Sequence, residues 1–184
     1  MNDTNKAIII GKIVHLYIIS RQPARAILTI HTNGTDNPKV FVTDRAAIYV
    51  INRCNVGDFV TVEANLQSSL KAKVGKTVTV FAEKVRKHCT QVAPENKFYL
   101  AGEIVSVRTN TECNVSSIIV RTNVNNRIST IPITFYNPDH KLFAIISDNP
   151  TLAISGRIQT VSHDYGNGKK IYHQNYVADF PRND

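Results

Sequence analysis

Apolar and polar residues alternate along most of this chain, or the apolar ones run together for only a few positions, in segments rich in Val, Ile and Thr. That period and chemistry belong to half-buried strands. In the first half the pattern predicts strands near 7–19, 25–32, 39–43, 58–68 and 76–86. The stretch Asp44–Cys54 breaks the alternation. Asp44 can cap a helix, Ala46 and Ala47 favour one, and Ile48 and Ile51 recur at helical spacing. Asn33–Pro38 carries only turn formers and is expected to be a loop. The second half predicts strands near 97–108, 115–123, 128–136, 151–161 and 170–179, with a helix over 137–146 opened by Pro138 or Asp139. Asn125-Asn126 and Gly166-Asn167-Gly168 mark hairpin turns.

The two halves are one pattern written twice. Ile10-Gly11-Lys12-Ile13-Val14 returns as Ala101-Gly102-Glu103-Ile104-Val105, Val62–Ser68 as Ile154–Thr160, and Phe81–Val85 as Val177–Phe180. A period near ninety residues is too long for a solenoid repeat and fits two copies of one small domain. The expected division is 1–90 for the first domain, 91–96 for a linker and 97–184 for the second. Five strands with a helix between the third and fourth is the order of an OB-fold, a small Greek-key barrel. The expected fold class is therefore all-β, two such barrels in tandem. Gly11 and Gly102 lie inside the first strands, where a barrel needs a sharp bend.

Charge adds a direction to this picture. The net charge is +8 over 184 residues, but residues 1–92 hold 13 Lys and Arg against 6 Asp and Glu, whereas 93–184 hold 9 against 8. A basic first half favours a polyanionic partner. No run of about 18 apolar residues occurs, so no membrane-spanning helix is expected. The start lacks the pattern of an export signal. Cys54, Cys89 and Cys113 are odd in number and form no CxxC pair, which reads as reduced thiols in a cytoplasmic protein.

The second copy resembles the bacterial single-stranded DNA-binding proteins through Leu100–Val105, Pro150–Thr160 and Gly168–Asp179. The first copy is similar at Ile10–Ile13 and at Val56–Gln67. The resemblance implies binding of single-stranded DNA without sequence preference, in replication, recombination or DNA transfer, and a homodimer that assembles four OB domains. A phage or mobile-element version would fit so diverged a copy. Two family features are missing from the sequence: it has no Trp, and it carries no Gly/Pro/Gln-rich tail with an acidic tip, so tail-mediated recruitment of repair enzymes is not expected.

Single-stranded DNA is held by cations along a groove and by flat side chains on which bases stack. In the third strand Val40 and Val42 share one face, and Lys39, Phe41 and Thr43 share the other. Phe41 either offers a stacking ring or plugs the end of the barrel. Tyr17, beyond the first glycine, could reach the same groove. In the second copy Tyr136 lies where the family often carries an aromatic, and Tyr165 and Tyr172 flank the basic turn with Lys169 and Lys170. Tyr49, Phe59, Phe81 and Phe143 fall on apolar faces and are assigned to the core. Candidate phosphate contacts are Arg21, Arg25, Lys39, Lys71, Lys73 and Lys76 in the first copy, and Arg108, Arg121, Arg127, Lys169 and Lys170 in the second.

Catalysis has little support. The six histidines form no HExxH, no Gly-x-Ser-x-Gly occurs, and Gly166–Lys170 lacks P-loop spacing. The expectation is a non-enzyme with no cofactor and no metal. The alternatives are a protein-interaction or assembly module on the same fold, and a binder of single-stranded RNA.

Overall fold

The computed structural model describes residues 3–71, 75–110, 112–136, 150–164, 166 and 170–179. They form ten strands and one helix: β1 (Thr4–Arg21), β2 (Ala24–His31), β3 (Lys39–Thr43), α1 (Asp44–Arg53), β4 (Phe59–Lys71), β5 (Gly75–His88), β6 (Glu95–Asn110), β7 (Val115–Val124), β8 (Arg127–Tyr136), β9 (Thr151–Asp164) and β10 (Lys170–Ala178). The described residues are all-β apart from this helix. The first five strands close a barrel: β1 pairs with β2, β2 with β3, β3 in parallel with β5, β5 with β4, and β4 with β1. The second five pair in the same order, from β6 through β7, β8, β10 and β9 back to β6. The predicted helix over 137–146 lies outside the described residues.

One glycine makes each ring possible. β1 pairs with β4 over Ala7–Lys12 and with β2 from Lys12 onward, so the strand changes partners beside Gly11. A Cβ on Gly11 would stand 2.1 Å from the carbonyl oxygen of His31, and one on Gly102 would stand 2.2 Å from that of Arg121. No side chain fits where two backbones cross this closely.

A second paired feature is invisible in the hydrophobic pattern. The amide of Asn5 lies against β4, accepting from Leu66 N–H and donating to Leu66 C=O, both at 2.8 Å. Asn96, 91 positions later, does the same to Ile158 on β9, at 3.1 and 2.8 Å. Each satisfies a main-chain pair that the strand ladder leaves open.

Between the copies β1 and β6 pair antiparallel, from Thr4 with Ala101 to Ile10 with Glu95. One hydrogen-bonded sheet therefore runs through all ten strands. The connection between β5 and β6 covers only 89–94. Inside the barrels the alternation behaves as the pattern requires: Ile9, Ile13, Leu28, Ile30, Val40, Val42 and Leu66 are buried in the first, and Phe98, Leu100, Ile118, Ile131, Ile133 and Phe135 in the second. The Asn125-Asn126 turn has φ of 53° and 62°, the left-handed pair that a two-residue type I′ hairpin demands.

The helix departs from expectation in detail. Thr43, not Asp44, is the N-cap residue; Asp44 is the first helical residue, with its carboxylate in the first turn. α1 buries Ala47 and Val50 against β2, β3 and β5 and covers one end of the barrel. Behind it Lys87 bridges Asp58 at 2.7 Å and donates to the Arg53 carbonyl at 3.2 Å. The Lys87 ammonium hydrogen-bonded to it, with the N–H of Asn55, holds the Asp58 carboxyl below the ordinary aspartate range. The same bridge pushes the Lys87 ammonium up.

Candidate functional site

The outer face of the first barrel carries a row of apolar side chains fixed by strand register. Tyr17 on β1 pairs with Ile27 on β2, Ile27 with Phe41 on β3, and Phe41 with Phe81 on β5. Their neighbours Ala26, Leu28, Val40, Val42 and Val80 point inward and are buried, so these four point outward. Tyr17 is 66% exposed; Ile27, Phe41 and Phe81 are half-buried. Phe41 and Phe81 meet edge to face with ring centroids 4.9 Å apart. Polar rungs border the row. On one side lie His15, Thr29 and Lys39; on the other Arg25 pairs with Thr43 and Ser20.

Among the described residues the second copy has no such row. The rung equivalent to Tyr17, Ile27, Phe41 and Phe81 holds Arg108, Ser117, Thr134 and Val177. The sequence repeats the barrel but not the rings. Instead the second copy leans over the first copy's face. Thr130 N–H donates to Ser68 Oγ at 3.0 Å, the buried Tyr176 hydroxyl donates to the Val78 carbonyl at 3.4 Å, and Lys39 N–H donates to Gln174 Oε1. The Arg127 guanidinium stands 5.8 Å from the Phe81 ring centre, and Lys39 Nζ stands 5.7 Å from that of Tyr172. Both distances suit a cation over an aromatic face.

Between the two outer faces lies a solvent-open cleft of about 960 Å³. Ile19, Ile27, Phe41 and Thr79 line it from the first copy, and Ile119, Thr130, Pro132 and Tyr172 from the second. It is a largely apolar trough with Lys39 in its lining. Such a trough accepts flat, weakly hydrated rings while keeping attached negative charge near Lys39.

Of the candidates read from sequence, Tyr17, Arg25, Lys39, Phe41, Arg127 and Tyr172 come together around this row and cleft. Arg21 is exposed at the end of β1, beyond the row. Arg108 is exposed on β6. Arg121 is tied to Glu103 through two bonds, at 2.5 and 3.0 Å, which neutralises much of its charge locally. Tyr136 is exposed on β8, its hydroxyl 3.3 Å from Gln159 Oε1. Lys73, Tyr165 and Lys169 lie outside the described residues, as do the side chains of Lys71, Lys76 and Lys170, and so does Phe143.

Three core assignments need correction. Phe81 is on the outer face of β5, within the row. Its parity with Thr77 and Thr79, opposite Val78, Val80 and Ala82, is the signal that marks it. Tyr49 is 37% exposed on α1 and accepts from Lys87 N–H at 3.3 Å. Phe59 is half-buried where β4 begins.

No protein-family model matches the chain, and no curated protein matches it either. Solved structures do. A deletion variant of the single-stranded DNA-binding protein from Thermus aquaticus is similar over 100% of this chain and 99% of its own, with a TM-score of 0.67 at 16% identity. The wild-type protein from that organism is similar over 97% and 91%, with a TM-score of 0.66 at 17% identity. At such identity the likeness is one of fold, and it extends through both copies. A mitochondrial single-stranded DNA-binding protein of S. cerevisiae aligns over 46% of this chain, with a TM-score of 0.38 at 19% identity.

Proposed function

We propose that this chain binds single-stranded DNA without sequence preference, as two tandem OB domains spanning 1–90 and 97–184. The observation that carries the reading is the cross-strand row of Tyr17, Ile27, Phe41 and Phe81 with Lys39 and Arg25 on the adjoining rungs. Rings at this spacing accept bases of any identity, and the flanking cations take phosphates. The strand lies in the cleft between the copies, so both domains form one site. The Thermus aquaticus proteins of like fold are named for the same ligand, which adds support. The first domain, with its rings and most of the net charge, supplies most of the salt-sensitive affinity.

The test is titration of labelled oligo-dT with the full chain at rising salt. Binding that weakens linearly in log–log form with salt is expected. No binding at low salt would favour the protein-interaction module. Competition between oligo-dT and oligo-U distinguishes DNA from RNA binding. The same reading includes a homodimer in replication, recombination or DNA transfer. Sedimentation of the free chain should show twice the monomer mass.

A further inference from the structure

Beside the cleft, and sharing Lys39 and Tyr172 with it, is a second cavity of about 700 Å³. Its lining differs in kind. From the first copy comes the rung of His15, Thr29 and Lys39, one step along from the row of rings. From the second copy come Ser162 and Tyr172, which pair with each other across β9 and β10. The loop before β3 ties the two walls: Asn37 N–H donates to Thr160 Oγ1 at 3.2 Å, and Thr160 N–H donates to Asp36 Oδ1 at 3.3 Å. Among the described residues, the His15 ring and the hydroxyls of Thr29 and Ser162 take no hydrogen-bond partner. The slot thus offers one aromatic ring, one ammonium and three polar groups that can each donate or accept.

We infer that this slot anchors one unpaired nucleobase of the bound strand by its hydrogen-bonding edge. This rests on the proposed DNA-binding function and adds a second mode of contact to it. A strand leaving the row of rings passes Lys39, which neutralises a phosphate, and one base turns in against Tyr172. Its edge then meets Thr29, Ser162 and His15. Hydroxyls rotate to donate or accept, and a neutral imidazole does one at each nitrogen, so the slot fits the edge of any base. Anchoring of this kind holds the strand's register without selecting its sequence. Since His15 and Thr29 belong to one copy and Ser162 and Tyr172 to the other, the slot exists only while the two are docked.

The experiment compares oligo-dT with an oligomer of equal length built from N3-methylthymidine, which keeps the stacking surface but blocks the edge. The full chain should bind the methylated oligomer about fivefold or more weakly, the effect of losing a neutral hydrogen bond. In the His15→Ala/Thr29→Val/Ser162→Ala triple variant, which removes all three edge partners, the two oligomers should bind within about twofold, with the salt dependence of the parent. Equal binding of both oligomers by the parent chain overturns the slot, as does a preference that survives in the triple variant. A mononucleotide that binds as tightly as the oligomer assigns the cavity to free nucleotides and also overturns it. Failure to bind any oligomer sinks the DNA-binding reading itself, a distinct outcome.

Discussion

Replacing Phe41 with alanine tests the row most directly. The ring is half-buried, edge-on to Phe81 and at the centre of the four-residue row, so a base bound there would cover it. Loss of one base–aromatic stack costs about 1–3 kcal/mol, a 5- to 150-fold rise in Kd. The charges are untouched, so the slope of log K against log salt should stay that of the parent. Some stability goes too: the edge-to-face pair alone contributes about 0.5–1.5 kcal/mol. Denaturation must therefore show that Phe41→Ala is folded at the binding temperature. A companion Phe41→Trp variant supplies a reporter, because the chain has no tryptophan of its own. Its fluorescence should be quenched as oligo-dT stacks on the indole. If Phe41→Ala is folded and binds oligo-dT as tightly as the parent, or if the indole signal of Phe41→Trp ignores saturating DNA, the rings are packing elements and do not hold bases.

Lys39→Ala should behave in the opposite sense, lowering the salt slope by about 0.7, the share of one single-strand phosphate contact, when titrated at several salt concentrations. Arg127→Ala should also weaken binding, although Arg127 belongs to the second copy, because it stands over Phe81 at the end of the row of rings; unchanged affinity at low salt would place the strand elsewhere. Gly11→Ala should cost roughly 3 kcal/mol or more in urea denaturation, because its Cβ meets the His31 carbonyl oxygen at 2.1 Å. Asp58, whose folded carboxyl is held below its ordinary value, contributes stability that is present above the unfolded pKa of about 3.9 and lost as pH falls through the lower folded value. Lys87 is raised, so its contribution is present below its unfolded pKa and lost in alkali as pH rises through the folded one. Urea midpoints of Asp58→Asn and the parent should therefore converge in acid and separate near neutrality.

The amino-acid sequence by itself determined the strands, the duplication and the special positions of Gly11 and Gly102, because alternation and glycine act over a few neighbouring residues; that those glycines serve a close backbone approach came only from the structure. It also set Phe41 on the face opposite Val40 and Val42 of a five-residue strand, and left open whether the ring faces a groove or plugs the barrel's end. Phe81 was assignable by the same parity, since Thr77 and Thr79 share its face opposite Val78, Val80 and Ala82; what the parity does not give is its partner, Phe41, which the pairing of β5 with β3 supplies. The row of rings is not legible locally at all: Tyr17, Ile27, Phe41 and Phe81 are far apart in sequence, and strand register alone aligns them. The same holds for Arg127 over Phe81, Tyr172 beside Lys39 and the slot between them. Each joins residues from separate copies, and docking the second barrel on the first is a property of the packed molecule, set by many weak contacts that no short stretch of sequence encodes.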